Sequence, residues 1–190
     1  MSAVPAQPHH VYYEAGKPTP PQLRNKVLGC EQSEFECYLE DDRDVIIQIK
    51  PDDEREPLKF RLERLNISIA LRITVTLPKD AFSKLRDHEE GHRKICEHFY
   101  TFAPRAAQRA GDLVAAKEFF SSTKDLEKAK LEIKAASRTM LRAEYWKYTR
   151  DLAEQANKYY DELTDHSRKL IDADRAVRES IERFEMQLPD

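Results

Sequence analysis

Leu77-Pro78-Lys79-Asp80-Ala81-Phe82-Ser83-Lys84-Leu85-Arg86-Asp87-His88-Glu89-Glu90-Gly91-His92 is the stretch on which the reading of this chain turns. Pro78 closes a β-branched run, and Asp80 is placed to cap the helix that follows it. Ala81, Phe82, Leu85, Ile95, Phe99 and Phe102 recur close to a helical repeat. Between Leu85 and Ile95 the inward positions pass to His88, Glu89 and His92. An apolar stripe that switches to ligand-type residues is what a metal site inside a helix requires. Pro104 limits the helix downstream, because the residue before a proline disfavours the α region.

His88-Glu89-x-x-His92 has a specific chemistry. Four residues advance an α-helix by about 400°, so the two histidines project within about 40° of each other. Two imidazoles one turn apart can bind one metal ion, and Glu89 beside them can take a proton from a metal-bound water. The expectation is a zinc-dependent hydrolase, a metallopeptidase acting on a peptide or protein substrate. Charged helices also produce this short match by chance, and 35% of the chain is charged. The helical context and the preceding strand weigh for a site.

Composition narrows the class. The chain has 190 residues, enough for one domain with a core. Its net charge of −3 comes from interspersed acidic and basic residues, which argues against a nucleic-acid surface. No apolar run reaches the roughly 20 residues of a membrane span. No charged start followed by an apolar core is visible, so the residues alone point to the cytoplasm. Cys30, Cys37 and Cys96 cannot all pair within the chain. Cys30 and Cys37 lie close enough in sequence to bridge, and Cys96 reads as a small buried residue. No C-x-x-C pair suggests a structural zinc site.

The chain divides by composition into a flexible leader, residues 1–21, and a single domain, residues 22–190. The leader holds five of the ten prolines and an exposed pair, His9 and His10. Within the domain, residues 22–78 read as mainly β and residues 79–190 as helical. A short helix over 22–29 ends at Gly29. Strands are expected over Phe35–Leu39, Val45–Ile49, Leu58–Leu62 and Asn66–Leu77, with turns at Asp41–Asp44 and Pro51–Asp53. They imply a small, mostly antiparallel sheet. Everything after Pro104 reads as helix: Ala106–Phe120, a break at Ser121–Thr123, then long segments starting near Leu126. The charged, alanine-rich stretch lacks a clean heptad, which favours packing on the rest of the domain over a coiled-coil arm.

A catalytic zinc takes three protein ligands and leaves one position for water. His98 completes a longer histidine spacing, but with Ile95 where a helix-breaking glycine would be needed. On a continuous helix His98 points about 120° away from His92. His166 is the alternative, in Tyr160-Asp161-Glu162-Leu163-Thr164-Asp165-His166. Asp161, Thr164 and Asp165 flank it and can hold an imidazole in place. A glutamate, Glu162 or Glu144, is a further candidate. His166 is placed ahead of the carboxylates.

Thr76-Leu77-Pro78, His88-Glu89-x-x-His92 and Tyr160-Asp161-x-x-Thr164-x-His166 together resemble the bacterial family catalogued as domain of unknown function 922, described as predicted secreted zinc-dependent proteases. The likeness spans roughly residues 70–170. It implies a zincin-like α+β fold, a zinc ion on His88, His92 and His166, Glu89 as the base, and a periplasmic or secreted setting. The family usually has glycine where this chain has Ser167, and the chain shows no export signal. Tyr160 is placed to donate a hydrogen bond to a developing oxyanion, or else is a packed core aromatic. The strand Ile69–Leu77 would bind an extended peptide if it lay at a sheet edge. The rivals are a non-catalytic helical scaffold and a metal-binding pseudoenzyme.

Overall fold

The computed structural model describes residues 2–14, 29–40, 45–49, 57–169 and 171–188. The short helix expected over 22–29 and the turns at 41–44 and 51–53 fall outside the described residues, apart from Gly29. The fold is α+β, with two small sheets and long C-terminal helices. Its residues group into two compact units.

One unit comprises residues 1–4, 36–69 and 103–147. Its sheet pairs β4 (Val45–Ile49), β5 (Leu58–Arg64) and β7 (Phe119–Ser121) in antiparallel register. Phe60 and Leu62 of β5 are buried while Arg61 and Glu63 are exposed, the alternation of a half-covered strand. β7 corrects the expectation of helix through Phe120 and of a mere break from Ser121. Helix α2 (Ala103–Ala116) stops short of it. Phe119 and Ser121 are buried and Phe120 is exposed, a period of two that pairing with β5 enforces. Helix α3 (Leu126–Lys147) then starts at Asp125, whose Oδ1 accepts from the N–H groups of Glu127 and Lys128. It buries Ala129, Ile133, Ser137, Leu141 and Tyr145, one face of a helix.

The other unit comprises residues 5–35, 70–102 and 148–190. It holds β2 (Gln7–Tyr13), helix α1 (Ser83–Tyr100), helix α4 (Arg150–Thr164) and helix α5 (Ala173–Glu185). Strands β3 (Cys30–Leu39) and β6 (Ile67–Pro78) begin in one unit and end in the other. β6 is buried along almost its whole length, as its run of Ile, Leu and Val requires.

Two strand expectations are corrected. Rather than one mostly antiparallel sheet, the sheets are mixed: β2 and the short β1 (Ser2–Ala3) pair with β6 in parallel. The proline-rich leader thus supplies strand, with His9 and His10 opposite Thr74 and Val75. β6 also pairs with β3. Ile69–Leu77 is therefore an interior strand, and β2 fills the ladder an extended peptide would have used.

Helix α1 starts later than Asp80 suggests. Its N-cap is Phe82, which has no side-chain cap, while Ala81 N–H bonds Pro78 O and closes a turn first. The helix ends at Tyr100, and Pro104 sits in the first turn of α2, where a missing N–H is harmless. Helix α1 buries Leu85, Ile95, Cys96 and Phe99. Burial contributes on the order of 1.5–3 kcal/mol for each large apolar side chain. Helices α4 and α5 pack on it through small residues: Ala153, Ala156, Ala176 and Ser180 are all essentially buried. No helix among the described residues is long and apolar enough to cross a membrane.

Candidate metal centre

His88, Glu89 and His92 are only 5%, 4% and 8% exposed. Three ionisable side chains buried in two turns of helix need compensation, and α4 supplies it. Asp161 Oδ1 lies 3.3 Å from His88 Nε2 and 3.1 Å from His92 Nε2, and the two Nε2 atoms are 3.3 Å apart. Among the described residues, these three form a group able to hold a metal ion.

The far side of each ring decides which nitrogen faces inward. His92 Nδ1 lies 2.9 Å from Asn157 Oδ1, and Asn157 Nδ2 donates to Cys96 Sγ at 3.3 Å. That second bond turns the amide oxygen toward His92, so Nδ1 carries the hydrogen. Thr164 Oγ1 donates to Tyr160 O at 2.8 Å and accepts from His88 Nδ1 at 3.3 Å. Both imidazoles therefore spend their N–H outward and turn Nε2 lone pairs inward, where Asp161 adds a carboxylate oxygen. Three electron-rich atoms converge on one point, and only a proton or a metal ion can fill it.

The triangle has the size of a metal site. Tetrahedral coordination at zinc-like bond lengths puts neighbouring ligand atoms about 3.3 Å apart. The observed edges are 3.1, 3.3 and 3.3 Å. Outward hydrogen bonds of this type fix the tautomer and raise ligand basicity. The donor set, two nitrogens and a carboxylate oxygen, suits a borderline divalent cation.

The electrostatics follow the geometry. Burial raises the Asp161 carboxyl, but when a proton rather than a cation fills the centre, hydrogen bonds from His88 and His92 hold it well below the usual carboxylate range. Burial lowers His88. Burial also opposes charge on His92, yet Asp161 outweighs it and the net shift is upward. Burial lifts Glu89 to about 7, although His92 pulls the other way. A Glu31 backbone hydrogen bond reaches the Glu89 carboxylate. A Cβ at Gly29 would lie 2.7 Å from Glu89 Oε1, so the backbone just before β3 approaches this side chain closely and a larger residue there would have to displace the carboxylate.

Tyr160 is fully buried, stacked on His88 at 5.1 Å between ring centroids and edge-on to His92 at 5.0 Å. Its hydroxyl has no hydrogen-bond partner among the described residues. Burial and the carboxylates of Asp161 and Glu89 raise its pKa, so it stays a donor. A Cβ on Gly91 would sit 2.2 Å from Tyr160 Oη, which explains a glycine in mid-helix.

His166 is close but different. Its Nδ1 lies 3.3 Å from Asp161 Oδ1, while its side chain is 70% exposed. Asp165, His166 and Ser167 have φ values of 48°, 50° and 69°, three successive left-handed residues that end α4. Ser167 thus occupies a conformation that favours glycine. His98 points to α5, with Nε2 3.4 Å from Glu185 Oε1. Glu162 is exposed. Glu144 pairs with Lys147 on α3. All three cysteines are free; burial pushes Cys37 and Cys96 up to about 12.

In the sequence alone, Asp161 reads only as a support for His166. The signal that finds it is the helical set Asn157, Tyr160, Asp161 and Thr164, one face of α4 over two turns. Comparison with protein-family models, curated proteins and solved structures returns no match.

Proposed function

We propose that the protein is a zinc-dependent hydrolase of amide bonds, a zincin-like metallopeptidase, with His88, His92 and Asp161 as the metal ligands. The observation that carries this reading is the triangle of inward Nε2 and Oδ1 atoms, with each imidazole backed by its own hydrogen bond. The resemblance to domain of unknown function 922 adds to it on the same helix, with His88, His92 and Glu89, although that resemblance implies His166 rather than Asp161 as the third ligand.

Bound zinc supplies Lewis acidity and makes water acidic enough to ionise near neutral pH. Glu89 accepts the proton of the attacking water and delivers it to the leaving amine. A carboxyl held at about 7 suits that exchange, since proton transfer is most effective when the base titrates near the working pH. Tyr160, fully buried with its hydroxyl against Gly91, packs on both imidazoles and holds them in place. Asn157 and Thr164 hold the two imidazoles in the required tautomer.

The test is Glu89→Gln in zinc-loaded protein. Hydrolysis of a mixed fluorogenic peptide set should fall by roughly 10²–10⁴-fold while metal content stays at about one ion per chain. Unchanged turnover, or no bound zinc in the unaltered protein, sinks the reading. A second reading has one observation in its favour. His166 Nδ1 stands 3.3 Å from Asp161 Oδ1, and a fourth protein ligand would close the site into a structural centre. In that case His166→Ala would create peptidase activity or leave none to lose, whereas an open site keeps its activity.

A further inference from the structure

A cavity of about 230 Å³ opens beside the candidate metal centre, lined by His88, Tyr160 and Thr164 together with Lys84 and Lys169. Lys84 lies one helical turn before His88. Its Nζ donates to Arg168 O at 3.0 Å. Lys169 Nζ donates to Glu162 O at 3.2 Å. Among the described residues neither ammonium meets a carboxylate, which sets them apart from Lys59, Lys79, Lys94, Lys130 and Lys147, all of which do. An ammonium has three donors, so each keeps two for a ligand.

The wall also carries acidic groups. Asp172 Oδ1 is committed to the Arg175 N–H at the start of α5, and Asp87 is exposed at the rim. The first turn of α5, at Ala173, adds the positive end of a helix dipole.

Backbone strain independently marks this wall. The left-handed run Asp165–Ser167 turns the chain so that Lys169 N–H bonds Thr164 O at 3.0 Å and Lys169 reaches the cavity. Each non-glycine residue held there costs about 1–3 kcal/mol, and such strain collects at ligand sites. Two ammoniums that make no ion pair among the described residues, beside a strained turn and a candidate hydrolytic centre, keep donors free for an anion even with Asp87 and Asp172 in the same lining.

We propose that the substrate carries a carboxylate that docks on Lys84 and Lys169, so that the bond to be cut lies near an acidic side chain or near a free C-terminus. This inference rests on the hydrolase reading for what happens next, but the docking is measurable without it. The experiment uses the full chain, treated with chelator so that no metal can hold the carboxylate. Three dye-labelled tetra-alanine probes are titrated by fluorescence anisotropy: one with a free C-terminal carboxylate, one amidated, and one amidated with a glutamate replacing an alanine.

At least one carboxylate probe should bind roughly tenfold tighter than the neutral amide, the value of a hydrogen-bonded charge pair. Lys84→Gln and Lys169→Gln should each remove most of that preference, and Lys130→Gln should not. Which carboxylate probe wins identifies the source, chain end or side chain. Equal binding of all three probes, binding of none, or a preference that survives Lys84→Gln/Lys169→Gln overturns the proposal. A lysine-dependent preference in a protein that neither retains zinc nor cleaves peptides would leave this site standing and remove the hydrolase reading.

Discussion

Helices α1 and α3 bury their inner faces with the same period and opposite chemistry. Helix α3 buries Ala129, Ile133, Leu141 and Tyr145, with Ser137 bonded to its own helix through Lys134 O. Helix α1 buries His88, Glu89, Gly91 and His92 in consecutive turns. In α3 each inward side chain gains by leaving water. In α1 the central three lose hydration, and partners on α4 recover only part of it. A helix that could have been filled with leucine and was not is organised around something other than stability.

Altering a proposed metal ligand tests that contrast most severely. Asp161→Ala should lower zinc affinity by a thousandfold or more, read by competition with a chromophoric chelator. His166→Ala should cost far less, since its ring is mostly in solvent. The reverse order would make His166 the third ligand, as the motif pattern implies. On the apolar side, Leu141→Ala should destabilise by about 2–5 kcal/mol in denaturant and leave zinc affinity unchanged.

Glu89 sharpens the comparison through pH. Its carboxyl titrates at about 7 in the metal-free fold, above its ordinary value of 4.5. The folded state therefore holds a proton that the unfolded state releases between those values. Burial of Glu89 costs nothing below about pH 4.5, costs progressively more through that window, and is fully destabilising above pH 7. Glu89→Gln should thus stabilise metal-free protein at pH 8 by on the order of 2–3 kcal/mol, with the gain vanishing near pH 4.5. A gain equal at both pH values would mean that ionisation of Glu89 is not the cause. At the small end, Asn157→Ala should weaken zinc binding about 10–100-fold while His92 stays in place. Asn157→Asp should recover part of that loss, because a carboxylate also accepts the Nδ1 hydrogen.

Period and residue type carried far along this chain. The β-branched runs at Val45–Ile49 and Ile67–Pro78 and the alternation from Leu58 are strands. The spacing from Leu85 to Phe99 lies on one helix with both histidines on its buried face. Those signals are local: a strand repeats every second residue and a helix about every fourth, whatever the partner. Pairing is not local. Nothing in Gln7–Tyr13 announces a parallel strand on β6, and nothing in Phe119–Ser121 announces pairing with β5. The site divides in the same manner. Its first half is one helical turn, written as a motif that spacing alone exposes. Its second half is a contact between residues 69 and 73 positions apart, His92 and His88 with Asp161. Which of Asp161, Glu162 and His166 meets those rings depends on where α4 ends and turns left-handed, and on Gly91 being small enough to admit Tyr160. Sequence therefore determined that a buried histidine pair exists. Only the packing of α4 against α1 decided which oxygen faces it, because a helix repeat fixes directions around its own axis and carries no information about the neighbour it meets.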